Sequence, residues 1–107
     1  MSSSALVGID IGTSSAKGVA VDPASGRVLA GAESSYPLSS PHPGWMEQHP
    51  QEWLTATQLV LDSLKAEVTE ILGIGFSGQM HGLVCLDAAG EVIRPAILWN
   101  DQRSAPQ

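Results

Sequence analysis

The chain has 107 residues, 43% of them hydrophobic and 15% charged, a composition that fits one folded domain and excludes a disordered chain. Its formal net charge is −6, and its five lysine and arginine residues form no basic stripe of the kind that binds phosphate backbones. Nucleic acids and anionic membranes are therefore poor candidate partners. Because we find no signal-peptide pattern and no apolar run long enough to cross a bilayer, we expect a cytoplasmic protein.

Three short apolar segments open the chain and predict an antiparallel meander. Strands are expected over residues 5–11, 16–21 and 27–34. Residues 12–14 join the first pair, and "DPASG" at residues 22–26 joins the second, where Asp, Pro and Gly each favour a turn. Connections this short place consecutive strands side by side and antiparallel.

A proline-rich loop and a helix come next. The loop "YPLSSPHPGWMEQHP", residues 36–50, contains four prolines that exclude regular structure, and Pro50 suits the first turn of a helix. Apolar residues then recur at helical spacing over residues 51–68, which predicts one amphipathic helix. The run "TEILGIGF", residues 69–76, returns to a strand. The expected architecture is therefore an α/β mixed sheet whose first three strands are antiparallel.

The last third of the chain predicts a further hairpin. Two apolar runs, "LVCLD" and "VIRPAILWND", flank the turn signal "DAAG". The chain's one cysteine, Cys85, lies in the first run, so we expect it to be a buried and unreactive strand residue.

The turn after the first strand, "DIGTSSAK", combines a carboxylate with a glycine and hydroxyl residues. Asp10 could hold Mg²⁺ through water, and Gly12 lets the backbone approach a ligand closely. Thr13 and Ser14 supply N–H groups suited to phosphate oxygens, while Lys17 points toward phosphate or toward solvent. The alternative is a plain hairpin whose glycine and serines only make the turn, and the local pattern alone slightly favours it.

A second candidate site follows the predicted strand at residues 69–76. Gln79, Met80 and His81 would project from the carboxyl end of that strand, the edge where open α/β sheets bind ligands. An amide, an imidazole and a thioether suit a small polyhydroxy ligand, which needs hydrogen bonds and one apolar wall. The alternative, which the local pattern favours, is a loop in which His81 only satisfies a backbone carbonyl.

The segment "LWNDQR", residues 98–103, lies at the end of the second apolar run of the predicted hairpin and contains oppositely charged residues. Asp101 and Arg103 either contact a ligand or pair with each other, and the paired alternative is at least as good. For Trp45 and Trp53 we expect packing roles in the loop and at the start of the helix.

Three stretches together resemble the amino-terminal part of the FGGY carbohydrate kinases. They are "GIDIGTSSAKGVAVD", "GWMEQHPQEWL" and "GIGFSGQMHGLVCLDAAGEVIRPAILWNDQR", which span nearly the whole chain. The resemblance implies the amino-terminal portion of a ribonuclease H-like ATPase fold, as in actin, the heat-shock ATPases and hexokinase. It also implies phosphoryl transfer from ATP, with Mg²⁺, to the 5-hydroxyl of D-xylulose. Ribulose, glycerol and related polyols are alternative acceptors, and a non-catalytic sugar- or nucleotide-binding module or an actin-like structural protein is the alternative outside enzymes.

The resemblance also implies roles for individual residues. Asp10 matches the aspartate near Mg²⁺ and the transferred phosphoryl group. The phosphate-contacting positions are Gly12, Thr13 and Ser14, and Lys17 is a further phosphate-side candidate from the local pattern. The sugar-side positions are Gln79, Met80, His81 and Asp101. Trp45, Glu47 and Gln48 match a loop that we interpret as structural.

The family's catalytic base and adenine-binding residues have no counterpart in the matching stretches. We therefore expect residues 1–107 to be a partial domain that lacks useful kinase activity by itself. A sheet interrupted at this point would expose an apolar edge, so we also expect the isolated chain to form a homodimer or to aggregate.

Overall fold

The computed structural model describes residues 3–80 and 82–104, and its four-stranded sheet and its helix follow the predicted order. The expectation of no regular structure over residues 36–50 is wrong at Glu47–Gln48, a short strand that contains no proline and pairs with Ala96–Ile97. The elements are β1 (Ser4–Ile11), β2 (Ser15–Val21), β3 (Val28–Ser35), β4 (Glu47–Gln48), α1 (Pro50–Lys65), β5 (Glu70–Gly78) and β6 (Ala96–Ile97). Strands β3, β2, β1 and β5 form one sheet in that order, and β4 pairs with β6. Strand β1 is antiparallel to β2 and parallel to β5, which is the predicted mixed sheet.

Helix α1 covers one face of β1, β2 and β3, and the apolar core lies between them. The buried core residues are Ala5, Val7, Ile9, Ala16, Ala20, Tyr36, Ala56, Val60 and Leu64. Those from β1 alternate along the strand and those from α1 are spaced four apart, so each set lies on one face of its element. Gly18 permits the close approach of the helix, because a Cβ atom there would lie 2.5 Å from Val60 Cγ1.

The ends of α1 and β5 differ from the predicted ends for a long-range reason. The helix begins at Pro50 as predicted but ends at Lys65, three residues before the predicted end at residue 68. Thr69 donates its N–H to the carbonyl of Ser3, so the chain must leave the helix early to start β5 beside β1. Strand β5 then continues to Gly78, two residues beyond the predicted end at residue 76.

The predicted hairpin around "DAAG" is reduced to single bridges. Leu86 pairs with Val92, and Leu83 pairs with Ile97, on either side of a turn held by the Asp87 carboxylate. The prediction that Cys85 is a buried strand residue is wrong, since it lies outside the strands and is partly exposed. The neighbouring Leu83 and Leu86 are exposed as well, so this segment lacks the covering layer that buries a strand.

Strand β5 is an edge of the sheet as described, and only its start is covered, where Ile71 packs against the core. Its apolar side chains Leu72, Ile74 and Phe76 are exposed. An uncovered apolar edge of this kind is a surface for pairing with another segment or chain, as expected from the sequence. Among the described residues, no helix has the length and apolar character that crossing a membrane requires.

Candidate functional site

Asp10 and Ser77 lie opposite each other near the carboxyl ends of two parallel strands. Ser77 Oγ donates a hydrogen bond to Asp10 Oδ1 at 2.7 Å, and both residues are exposed at an open groove of about 440 Å³. Lys17 is the antiparallel partner of Asp10 and lies on the same face, with its Nζ 3.6 Å from Glu33. The Asp10 carboxylate is therefore accessible from solvent, with a lysine beside it.

All three carbonyl groups of the hairpin turn formed by Gly12, Thr13 and Ser14 are bonded to the protein. The Tyr36 hydroxyl donates to the first, Gln48 Nε2 donates to the second, and the Tyr36 backbone N–H donates to the third at 3.1 Å. Within the described part of the chain, the N–H groups of Thr13 and Ser14 make no hydrogen bond. A turn whose carbonyls are held in this way leaves N–H groups for an anion.

Tyr36 is a functional candidate that the sequence reasoning missed. Burial, and secondarily the negative charge of Asp10, raises the pKa of the Tyr36 hydroxyl, a group that is already a hydrogen-bond donor at neutral pH without this shift. In the sequence Tyr36 is the first residue of the predicted proline-rich loop, two residues after the predicted end of the third strand. Nothing nearby in the sequence connects it with a turn 24 residues earlier.

Gln48 joins the hairpin turn to α1 and to the end of β5, although we had read it as structural. It is 2% exposed, and its Oε1 accepts hydrogen bonds from Trp53 Nε1 at 2.9 Å and from Gln79 Nε2 at 3.1 Å. Gln79 Nε2 also lies 3.3 Å from the Gly12 carbonyl oxygen. The two predicted sites, the turn and the segment after β5, are thus in direct contact.

A cavity of about 300 Å³ lies beside Gln79. Its lining residues are Ile11, Trp53, Gly78, Gln79, Gly82, Val84 and Leu98. Gln79 Oε1 is buried and has no hydrogen-bond partner in the part of the chain that the structure describes. Met80 is 72% exposed, and His81 lies outside the described residues. Apolar walls with one unpaired amide oxygen suit a small polar ligand.

Asp101 belongs to a network of ion pairs. Arg103 donates to both of its carboxylate oxygens, at 2.9 and 2.7 Å, and the Met46 N–H donates to Oδ2 at 2.6 Å. The hydrogen bonds from Arg103 hold the pKa of the Asp101 carboxyl well below its usual range. Arg103 also donates to the buried Glu47 at 2.7 Å, and Arg94 donates to the same carboxylate. Of the two alternatives left open by the sequence, Asp101 adopts the paired one.

The two tryptophans pack as expected, and each also has a polar role. The Trp45 ring lies under the guanidinium of Arg103, whose Cζ is 3.8 Å from the ring centroid. Trp53 is partly buried against the core and donates its indole N–H to Gln48. The sequence predicted the packing, whereas the partner of each tryptophan depends on the fold.

Asp10 is the residue best placed to hold a cation. No group of three or more His, Cys, Asp or Glu side chains that could hold a metal ion occurs among residues 3–80 and 82–104. A magnesium ion usually keeps several waters and needs only one or two carboxylates together with substrate phosphates. The exposed Asp10 carboxylate, beside a turn with free N–H groups, fits that mode of binding.

Comparison with known proteins identifies the class that this fold and site represent. Residues 5–107 match the amino-terminal domain of the FGGY family of carbohydrate kinases, and the chain belongs to that family. This result confirms the family that the three sequence stretches indicated.

Within the family, the chain is similar to xylulose kinases. It is 42% identical to the xylulose kinase of Lactococcus lactis over 106 residues, which are 95% of this chain and 21% of that protein. It is 41% identical to the xylulose kinase of Escherichia coli over 103 residues, 94% of this chain and 21% of that protein. The chain therefore spans about a fifth of the length of these curated relatives.

Solved structures confirm the predicted actin- and hexokinase-like ATPase fold. The xylulose kinase of Rhodospirillum rubrum superimposes with a TM-score of 0.90 at 36% identity, covering 95% of this chain and 22% of that one. The glycerol kinase of Plasmodium falciparum with ADP gives a TM-score of 0.83 at 22% identity, covering 98% of this chain and 22% of that one. The second likeness concerns the fold alone.

Proposed function

We propose that this chain is the amino-terminal part of an ATP-dependent sugar kinase that phosphorylates the 5-hydroxyl of D-xylulose. The observation that carries the proposal is the meeting of Asp10, the hairpin turn and Gln79 at one edge of the sheet. This meeting occurs in a chain that is 42% identical to a xylulose kinase over 95% of its length. We also propose that the ATP-dependent reaction takes place in the cytoplasm.

Asp10 and the hairpin turn form the phosphate side of the proposed site. Asp10 would hold Mg²⁺ through water, and the ion when bound neutralises charge on the phosphate oxygens. Thr13 and Ser14 would direct their free N–H groups at those oxygens, with Gly12 permitting the approach. Lys17 would add a positive charge on the same face after leaving its exposed contact with Glu33.

The cavity beside β5 forms the sugar side. Gln79 Oε1 would accept a hydrogen bond from the sugar, Met80 would supply an apolar surface, and His81 would add a hydrogen bond. Because Arg103 and Met46 occupy both oxygens of Asp101, we assign Asp101 a supporting role on the substrate side. Positioning of this kind accounts for much of phosphoryl-transfer catalysis.

We propose that residues 1–107 are part of a larger substrate-side domain. The base that accepts the hydroxyl proton and the adenine-binding residues would come from other parts of a longer polypeptide. The unpaired edge and the exposed apolar side chains of β5 support this proposal, because a larger domain would pair the edge with further strands and cover the side chains with a packed layer. On its own, the chain would use this edge to dimerise or aggregate, a state that light scattering detects.

The test is an assay of the complete polypeptide encoded by the reading frame that contains this chain. ADP release is measured with MgATP and D-xylulose, and with ribulose and glycerol in parallel, and we expect the highest kcat/KM for D-xylulose. Asp10→Asn should lower kcat by at least about 100-fold, since it removes the charge that holds the cation. The matched control is Asp22→Asn, an exposed carboxylate that accepts hydrogen bonds from Ala24 and Ser25 within its own surface turn.

Two outcomes would contradict the proposal. A preference for ribulose or glycerol would refute the assigned acceptor. Equal activities of the Asp10 and Asp22 variants would refute the role of Asp10.

A further inference from the structure

We propose that Trp53 and Gln48 fix the orientation of the Gln79 side-chain amide so that its buried oxygen is left unpaired beside the cavity. We further infer that this oxygen selects a neutral hydroxyl group of the acceptor sugar at that position. The inference deepens the proposed sugar-kinase function and rests on it.

The orientation of Gln48 follows from its two neighbours. Trp53 Nε1 lies 2.9 Å from one end of the Gln48 amide, and an indole N–H can only donate, so that end is the oxygen. The other end meets the Thr13 carbonyl, which can only accept, so it is the NH₂ group. Gln48 is 2% exposed, so these two groups, and not solvent, determine which way its amide points.

The orientation of Gln79 follows in turn from Gln48. The Gln48 oxygen only accepts, so the Gln79 atom 3.1 Å away from it is the nitrogen. The same nitrogen lies 3.3 Å from the Gly12 carbonyl, which again requires a donor. A reversed amide would place the Gln79 oxygen against two other oxygens. The Gln79 oxygen is therefore directed away from both, and it is buried without a partner among the described residues.

The unpaired oxygen determines what kind of ligand group fits the cavity. A buried acceptor without a partner costs free energy, and a ligand that donates a hydrogen bond recovers it. The surrounding walls are formed largely by Ile11, Val84 and Leu98, which cannot donate. A sugar hydroxyl can donate, whereas a carboxylate or a phosphate dianion has no proton to offer and would face the oxygen's negative end.

Trp53→Phe is the most selective variant for testing this arrangement. It keeps an aromatic ring at the cavity but removes one of the two groups that set the direction of the Gln48 amide, and through Gln48 it weakens the constraint on Gln79. Gln48→Met removes the amide that links Trp53 to Gln79 and keeps a side chain of similar length. The matched control is Trp45→Phe, the same change at another partly buried tryptophan. Its ring stacks on Arg103 and takes no part in the hydrogen bonds that link Trp53, Gln48 and Gln79.

The primary measurement is calorimetric binding of D-xylulose to the complete polypeptide without ATP, followed by KM values for sugar and ATP. We expect Trp53→Phe and Gln48→Met to weaken sugar binding by about 3- to 10-fold, the worth of one net hydrogen bond. Trp53→Phe should leave the KM for ATP unchanged, and Trp45→Phe should leave sugar binding unchanged. A purely structural role would instead lower thermal stability without a selective effect on the sugar.

Binding of monodeoxy ketoses shows whether the hydrogen bonds that link Trp53, Gln48 and Gln79 act through one hydroxyl group of the sugar. The wild-type polypeptide should bind one analogue about 3- to 10-fold more weakly than the parent sugar, and Trp53→Phe should lose most of that discrimination. An active wild type whose discrimination survives in Trp53→Phe would overturn the inference and leave the proposed function standing. A wild type that neither binds nor phosphorylates D-xylulose, ribulose or glycerol would overturn both.

Discussion

The sheet beneath α1 and the segment over residues 82–104 are held in place by different interactions. Beneath the helix, buried apolar residues such as Val7 and Leu64 form a continuous core. In the later segment, Leu83, Leu86 and Ile93 remain exposed. That segment is attached through the pairing of β6 with β4 and through the buried Ala96 and Leu98. It is also attached through Arg94 and Arg103, which meet the buried Glu47 carboxylate.

The difference shows that the core is specified by local sequence patterns, whereas the ion-pair network is specified by contacts between residues far apart in the sequence. Apolar packing is non-directional and follows from a repeating pattern within each element. The ion pairs of Glu47 join residues 47 and 56 positions away, and they require specific partners in a specific geometry. We therefore expect substitutions in the core to act on the whole sheet and substitutions in the ion-pair network to act locally.

The largest effect is expected for Leu64→Ala in the core beneath α1. Leu64 is fully buried, so the change should lower the free energy of unfolding by about 2–5 kcal/mol. The control on the same helix is Leu59→Ala, at a side chain that is 53% exposed, with an expected effect within about 0.5 kcal/mol. Urea unfolding followed by tryptophan fluorescence measures both, and similar losses in the two variants would show that the core does not dominate stability.

The same contrast explains which structural features could be predicted from the sequence. The meander and the start of α1 at Pro50 follow from local turn and proline chemistry, and the structure has them. The end of α1 depends on the contact between Thr69 and Ser3, 66 positions apart, and the prediction missed it by three residues. Cys85 was misplaced because its local apolar pattern carries no information about whether a second layer covers it.

The candidate site likewise contains residues that the sequence predicts locally and residues whose roles depend on long-range contacts. Asp10 and the turn after it stand out locally, and the family resemblance gave them a role. The contacts of Tyr36 and Gln48 with turn carbonyls join positions 24 and 35 residues apart, and no local pattern reveals them. A polar side chain that donates a hydrogen bond to a distant backbone carbonyl cannot be distinguished from any other loop residue in the sequence.

A smaller effect is expected for Glu47→Gln in the ion-pair network. Glu47 is buried and accepts from Arg94 and Arg103, so losing its charge should cost about 1–3 kcal/mol. The matched control is Glu33→Gln, whose pair with Lys17 is exposed and is worth at most about 1 kcal/mol.

Hydrogen exchange would show whether the Glu47 effect is local. Amide protection should fall mainly over residues 82–104 in Glu47→Gln, while the amides of β1 and β2 stay protected. Loss of protection throughout the sheet would mean that the two regions fold as one cooperative unit. That result would remove the distinction between them.

The smallest effect is expected from the protonation of Asp101, which is absent at neutral pH and lowers the stability of the wild type only in acid. Its hydrogen bonds from Arg103 keep the folded-state pKa below the ordinary aspartate value of about 3.9. Below about pH 4 the unfolded chain takes up this proton before the folded chain does. The stability that the carboxylate contributes is therefore complete above that pH and is lost as the pH falls toward the lowered pKa.

Urea unfolding between about pH 6 and about pH 3 should accordingly show a steeper loss of stability in the wild type than in Asp101→Asn. An NMR titration of the Asp101 carboxyl provides the direct measurement, and Arg103→Gln should move its midpoint upward, because the main cause of the lowered pKa is gone. An ordinary midpoint in the wild type would mean that Arg103 does not hold this carboxylate in solution. In that case the network around Glu47 would no longer explain how residues 82–104 are attached.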